Sequence, residues 1–234
     1  MEGVFRFKQF DVRNEASALK VGTDAVVLGA SMTLSPEDGR LLDIGTGTGV
    51  IALMAAQRLS EAGADFSIDA IDIDGPSAEE AALNFAASPW RTRLKSTHVA
   101  LKDFDGSYDV IFSNPPFYDN SLTNPVARES TARHTESLSY REICAFAAKA
   151  LCDRGRLSMI LPYEARTALV RTAAGFGLYP FRIISVRTTP TKAPRRLVAE
   201  FSRKKGDCNE ESLTLQEGSS RSAEYASLTS GFYL

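Results

Sequence analysis

Cysteine is scarce. The 234 residues include three, Cys144, Cys152 and Cys208, an odd number that cannot pair completely. None has the close spacing of a metal site, so reduced thiols and no bound metal are expected. Histidine is scarcer, with only His98 and His134. Long apolar runs are missing. No stretch approaches the roughly 20 apolar residues that span a bilayer. Residues 1–10 are charged and aromatic and lack the apolar run of a secretory signal. A cytoplasmic location without membrane attachment is therefore expected. An excess of either charge is also missing. With 27 basic and 29 acidic residues the formal net charge is −2, which excludes coating of nucleic acid by charge alone but leaves room for a local basic stripe. Internal repeats and low-complexity linkers do not occur.

What is there suits a globular chain, 44% hydrophobic and 24% charged. This length buries roughly 70–75% of the extended surface and needs no covalent staples. Residues 4–10 largely alternate apolar and polar, which predicts a half-exposed strand. Residues 19–31 read as a loop and then a helix, with Thr23 or Asp24 as its N-cap. Strands and helices then alternate. Strands are expected over 40–44, 66–73, 94–100, 108–113, 156–161, 179–186 and 197–202. Helices are expected over 50–59, 77–87, 139–151 and 163–174, the second capped by Ser77 with Glu80 three residues on. The rhythm implies an α/β fold with a mostly parallel sheet and helices on both faces. One domain is expected over 1–234: an N-terminal extension 1–39, a core 40–205 and a tail 206–234 that docks on the core.

Asp43-Ile44-Gly45-Thr46-Gly47-Thr48-Gly49 falls where the first core strand turns into a helix. Glycines there permit positive φ and close approach of a ligand. In open α/β sheets ligands bind outside the carboxyl ends of the strands. The dinucleotide fingerprint is G-x-G-x-x-G, with bare amides facing a pyrophosphate. Here the spacing is G-x-G-x-G behind an acid, which repels pyrophosphate and suits a cationic ligand. The pattern resembles motif I of class I methyltransferases, whose donor, S-adenosylmethionine, carries an ammonium, a sulfonium and a ribose. Asp72, at the end of the next strand, is the candidate for the ribose hydroxyls, since a carboxylate accepts from both. Asp74 is its rival as cap of the following helix. Ile44, Thr46 and Ile73 flank these positions and are expected to line the same pocket.

Ser113-Asn114-Pro115-Pro116-Phe117 closes the fourth core strand. Two prolines make the loop rigid. Asn-Pro-Pro-aromatic behind an apolar strand is a signal for methylation of a planar amide or amino nitrogen. The amino nitrogen of adenine, the acceptor expected here, is a poor nucleophile because its lone pair is delocalised into the ring. Two acceptors, Asn114 Oδ1 and the Pro115 carbonyl, hold both its N–H groups and return the lone pair to nitrogen. Phe117 stacks on the base. Positioning and electrostatics then supply catalysis without a strong base. The base must leave its stack, which costs least in a single-stranded loop.

With these motifs placed, the chain resembles the bacterial tRNA1(Val) adenine-37 N6-methyltransferases over its whole length. Phe5-Arg6-Phe7-Lys8-Gln9-Phe10, Lys20-Val21-Gly22-Thr23-Asp24, Ala132-Arg133-His134-Thr135-Glu136-Ser137-Leu138 and the ending Phe232-Tyr233-Leu234 carry the narrower match. The resemblance implies a Rossmann-like class I fold, a seven-stranded sheet with an antiparallel last strand, and S-adenosylmethionine as donor. It implies the anticodon loop of a tRNA as partner, with the adenine beside the anticodon as acceptor. It also implies that Thr23 and Asp24 help close the cofactor pocket. Many relatives carry an acid after strand three. Leu101 occupies that place here, with Asp103 two residues later as a substitute.

Arg128, Arg133 and His134 form one candidate RNA-facing loop, and the basic loop from Arg187 through Arg196, with Lys192 and Arg195, another, since arginine forks match phosphate oxygens. A plain charged surface competes with that reading in both. His98 and Trp90 read as structural. Two other acceptors stay open, the glutamine amide of a release factor and the amino group of a guanine in ribosomal RNA. A non-catalytic binding module is the alternative from another class. A monomer or weak dimer is expected.

Overall fold

The computed structural model describes residues 3–17, 20–116 and 138–234. An aromatic hairpin comes first, β1 (Val4–Arg6) antiparallel to β2 (Asp11–Arg13). The alternation over residues 4–10 therefore yields only three strand residues. The Phe7 N–H donates to the Phe10 carbonyl at 2.9 Å and closes a turn, and the two rings stack with centroids 4.6 Å apart. Helix α1 (Thr23–Ser31) follows. Its N-cap is Gly22, with no side-chain bond, so neither Thr23 nor Asp24 caps it; both lie in its first turn.

The core then runs β3 (Arg40–Ile44), α2 (Val50–Glu61), β4 (Ser67–Asp72), α3 (Gly75–Ala87), β5 (Leu94–His98), a 3-10 turn Leu101–Asp103, and β6 (Tyr108–Ser113). After it come α4 (Tyr140–Ala150), β7 (Leu151–Pro162), a 3-10 turn Tyr163–Ala165, α5 (Arg166–Gly175), β8 (Tyr179–Arg187) and β9 (Arg196–Ser202). The tail adds β10 (Asn209–Thr214), a short hairpin of β11 (Gln216–Glu217) and β12 (Ser220–Arg221), and α6 (Ala223–Leu228).

Eight strands make one sheet in the order β10-β8-β9-β7-β6-β3-β4-β5. Every pairing is parallel except those of β9, which runs antiparallel between β7 and β8. The seven expected strands are present with the antiparallel one last in the chain, and the tail contributes an eighth. That strand, Asn-Glu-Glu-Ser-Leu-Thr, is too polar to announce itself. It is an edge strand, and it is secured by its ladder to β8 and by Arg182, whose Nε and Nη2 reach the two oxygens of Glu211 at 2.8 and 2.9 Å.

Helices cover both faces. One core packs α1, α2 and the hairpin aromatics with Tyr225 and Phe232 of the tail; the other packs α4 and α5 on the opposite face. Trp90, 6% exposed, meets Phe10 edge-on at 5.9 Å, a packing role. Leu53, Met54 and Leu59 of α2 are essentially fully buried, and each stabilises the fold by about 1.5–3 kcal/mol. The apolar layers leave the carboxyl ends of the parallel strands together on one edge, with the glycine loop, the end of β6 and the start of β9 along it.

Candidate active site

The glycine loop is closed by main-chain bonds. Gly45 and Thr46 donate to the Ile71 carbonyl at 2.9 and 3.1 Å, and Gly49 donates to the Thr46 carbonyl at 2.9 Å. Gly45, Gly47 and Gly49 all have positive φ (70°, 57° and 80°), a backbone that side chains resist. At Gly49 space forbids one as well: a Cβ there would lie 2.5 Å from Phe85 Cε1. Asn84 of α3 ties the loop to the extension, donating to the Thr48 carbonyl at 2.8 Å while its Oδ1 accepts from the Arg13 N–H at 2.8 Å.

Two acids face this loop. Asp43, at the end of β3, is fully buried and accepts from Thr46 Oγ1 at 2.7 Å through Oδ2. Its Oδ1 is buried without a hydrogen-bond partner. Burial, with the nearby charge of Asp72, pushes its carboxyl up to about 7. Asp72 Oδ2 accepts from the Gly47 N–H and Oδ1 from the Asp74 N–H, both at 2.9 Å. Burial raises its carboxyl above the ordinary range too. Asp74, not Asp72, caps α3, accepting from the Ser77 N–H at 2.9 Å.

That cap corrects the expected start of α3. The helix begins at Gly75, and Ser77 is already inside it. Glu80 is drawn away by tertiary structure, because its carboxylate accepts from the backbone N–H groups of Glu15, Ala16 and Ser17 at 2.7–2.9 Å. These three bonds hold its carboxyl below the usual range against the opposing effect of burial.

Ser113 Oγ donates to the Ile44 carbonyl at 2.7 Å and locks the end of β6 to β3. Ser113 also pairs with Ile44 in register, so Asn114 emerges level with Gly45. Asn114 Oδ1 is buried without a partner. Pro115 behind it is buried and Pro116 half-buried. A buried amide oxygen left unbonded costs about 1–3 kcal/mol, so an orphan of this kind calls for an explanation.

The other readings are placed as follows. Ile73 is 44% exposed beside Asp72. Asp103 is exposed on the 3-10 turn after β5, with Leu101 half-buried. His98 Nε2 lies 2.9 Å from the Ile73 carbonyl and steadies the acid-bearing turn. Asp24 pairs with Arg196, Oδ2 to Nε at 2.7 Å. Lys192 and Arg195 are exposed in the loop between β8 and β9. Phe117, Arg128, Arg133 and His134 lie outside the described residues. Sequence reasoning missed Asn84 and Ser113, whose long-range bonds have no sequence period. Arg187, the first residue of the basic loop 187–196, lines a cleft with Arg195 and Arg196, and sequence reasoning missed the part of Arg221 and Tyr233 in that cleft. Among the described residues there is no cluster of side chains able to hold a metal, and no helix long and apolar enough to cross a membrane.

Comparison with known proteins adds the lineage. Residues 16–168 match the family model described as methyltransferase small domain. The chain is 41% identical over 237 residues to the tRNA1(Val) (adenine(37)-N6)-methyltransferase of Flavobacterium psychrophilum, covering 99% of each. It is 40% identical over 232 residues to the protein of the same name from Tolumonas auensis, covering 98% of this chain and 96% of that one. Among solved structures, a predicted O-methyltransferase of Agrobacterium tumefaciens superposes with a TM-score of 0.66 at 15% identity, over 89% of this chain and 96% of that one. A ribosomal protein L11 methylase of Lactobacillus delbrueckii follows at 0.53 and 19% identity, over 77% of each. At such identities these two speak for the fold alone.

Proposed function

The chain belongs to the family of tRNA1(Val) (adenine(37)-N6)-methyltransferases, within the methyltransferase small domain family, and from that premise we propose how its carboxyl edge carries out methyl transfer. It methylates N6 of an adenine in tRNA, adenine 37 of tRNA1(Val), with S-adenosylmethionine as donor. The residues present fit that donor. Three left-handed glycines shape the loop beside the two acids, the buried carboxyl of Asp43 suits a cation, and Asp72 at the end of its strand suits a ribose. When bound, S-adenosylmethionine supplies an electrophilic methyl group on a sulfonium.

The protein's part is to hold and orient. The observation that carries this reading is the buried, unbonded Oδ1 of Asn114, level with the glycine loop. This oxygen and the Pro115 carbonyl accept the two N–H groups of the target adenine. The nitrogen lone pair is thereby turned out of the ring and toward the methyl group. With the donor bound, its methyl group would pass from sulfur to N6 and one N6 proton to water, while Asn114 Oδ1 and the Pro115 carbonyl hold the amino group in place. No charged base is required, because the acceptors are fixed before the substrate arrives. Thr23 and Asp24, in the first turn of α1, line the cleft beside β9.

The test is methyl transfer from labelled S-adenosylmethionine to tRNA from a strain lacking this protein, followed by nucleoside analysis. Label in N6-methyladenosine at position 37 of tRNA1(Val) is the expected result. Label in another nucleoside, or none in tRNA with cofactor binding intact, overturns it.

A further inference from the structure

The same edge of the sheet carries a second feature that methyl transfer does not use. A cleft of about 490 Å³ opens between the first turn of α1, the ends of β7 and β8, and the tail. Four arginines line it (Arg187, Arg195, Arg196 and Arg221), and Asp24 is the only acid among its lining residues. Asp24 is engaged by Arg196 at 2.7 Å. Arg187 is the most telling of the others. Its Nε is buried without a hydrogen-bond partner, and its one recorded side-chain bond is a long one, Nη1 to the Pro190 carbonyl at 3.5 Å. Keeping a guanidinium donor dry and unbonded is costly unless an acceptor enters the cleft.

The tail wall is built to stay. Lys8 N–H donates to the Phe232 carbonyl at 2.8 Å, Gln57 Nε2 to the Gly231 carbonyl at 2.9 Å, and the hydroxyls of Tyr225 and Tyr233 meet at 3.1 Å. On this wall the Arg221 guanidinium lies 3.9 Å over the ring of Tyr233. The ring fixes one face of the guanidinium and leaves its N–H fork for an oxyanion.

Position says what the oxyanion belongs to. Ser113 of β6 pairs with Met159 of β7, so Asn114 is level with Ile160, which lines the cleft. The cleft thus starts one strand from Asn114 and ends at β8, three strands away, a span of about 5 to 15 Å at the usual strand spacing. We propose that this cleft is a backbone subsite for the substrate RNA. In it Arg187, Arg195 and Arg221 grip phosphodiesters flanking the target adenine, with the tail as one wall. The inference rests on tRNA being the acceptor.

The test uses the full chain and three variants, Arg187→Gln, Arg221→Gln and, as a control for bulk charge, Lys149→Gln on the opposite face. Anticodon stem-loops carrying a neutral methylphosphonate at single positions serve as probes. For the parent, one or two neutral linkages beside the target adenine should weaken binding about tenfold, the cost of one charge-assisted contact. In the two arginine variants kcat/KM for tRNA should fall about tenfold, the same neutral linkages should cost nothing further, and the affinity for S-adenosylmethionine should stay within twofold. Lys149→Gln should behave as the parent. If the arginine variants keep the parental kcat/KM and the parental penalty, the subsite is wrong while tRNA methylation stands. If the parent methylates no tRNA, the functional reading itself has failed. If inorganic phosphate or a free nucleoside monophosphate at millimolar concentration binds in the cleft as tightly as the stem-loop, the ligand is a free phosphate and the proposal is overturned.

Discussion

The glycine loop and the arginine cleft share one edge of the sheet, yet they are built from different materials. The loop is made of backbone: its shape is closed by main-chain bonds to Ile71 and by the carboxylate of Asp72 on the Gly47 N–H. The cleft is made of side chains from α1, β7, β8 and the tail, brought together by packing. The first presents carboxylates and positive-φ glycines to a cation. The second presents guanidinium groups to an anion. Opposite charges at the two ends of one edge suit the two proposed substrates, a cationic donor at one end and a polyanionic acceptor at the other. Asn114 stands between them, and the sharpest way to break the comparison is to disable that midpoint alone.

Asn114→Ala should do so. It removes the one side-chain acceptor aimed at the target nitrogen and leaves both ends intact. Transfer should drop about 10²–10³-fold, the usual cost of one preorganised hydrogen-bonding group. Affinity for S-adenosylmethionine by calorimetry and for tRNA by filter binding should each stay within about twofold. Equal loss of cofactor binding would place Asn114 in the donor pocket and not between the two ends.

Gly49→Ala tests the claim that the loop end is built from backbone. The φ of 80° and a Cβ 2.5 Å from Phe85 leave nowhere for the methyl group. The left-handed backbone costs about 1–2 kcal/mol, and overpacking a further 1–3 kcal/mol or so. Thermal unfolding should shift down by roughly 2–4 °C per kcal/mol lost. An unchanged midpoint would mean that the loop tolerates a side chain and is not fixed by its glycines.

The contrast in materials also explains what could be read from the sequence. Gly45, Gly47 and Gly49 could be read because only glycine takes positive φ easily, so a main-chain site leaves its mark as a local pattern. Asn114-Pro115-Pro116 was legible for the same reason, proline being as local a signal. The parallel strands showed as apolar runs, and the fold class followed. The cleft as a whole was not legible, because Thr23 and the loop that starts at Arg187 meet each other and Arg221 only after folding. Lys192, Arg195 and Arg196 were found as a local basic run, but nothing in that run shows that Arg196 faces Asp24. Strand β10 was missed since its residues are polar and its support is a partner strand and Arg182. Asp74 was legible as the cap of α3, but the capping box read from Ser77 and Glu80 is not formed: they have its spacing, while Glu80 is used by residues 15–17.

Asp43 sharpens the comparison through pH. Its carboxyl titrates near 7 in the folded chain, against 3.8 when exposed. Between those values the folded chain keeps a proton that the unfolded chain has lost, so this group's contribution to stability falls as pH rises and levels off above about 7. Asp43→Asn removes the slope. Unfolding free energies of parent and variant should diverge in the variant's favour between about pH 4 and about pH 7, then run parallel. Cofactor affinity should move the opposite way. The ionised carboxylate attracts the cationic donor, so the parent should bind S-adenosylmethionine more tightly as pH rises to neutrality while the variant stays weak and flat. Identical pH profiles for the two would show that another group titrates.

Lys192→Ala should give the smallest effect, at the rim of the anionic end. Lys192 is exposed in the loop between β8 and β9, outside the residues that line the arginine cleft. An exposed ammonium near single-stranded RNA acts as a screened point charge. Its loss should weaken tRNA binding only a few-fold and equally for every tRNA. The plot of log affinity against log salt should become shallower by about 0.7, one counterion contact on a single strand. Lys149→Ala, on the opposite face, should leave the slope alone. A change of slope in both would mean that net charge, and not the placing of charge on one edge, draws the RNA in. A change in neither would confine recognition to the arginines of the cleft.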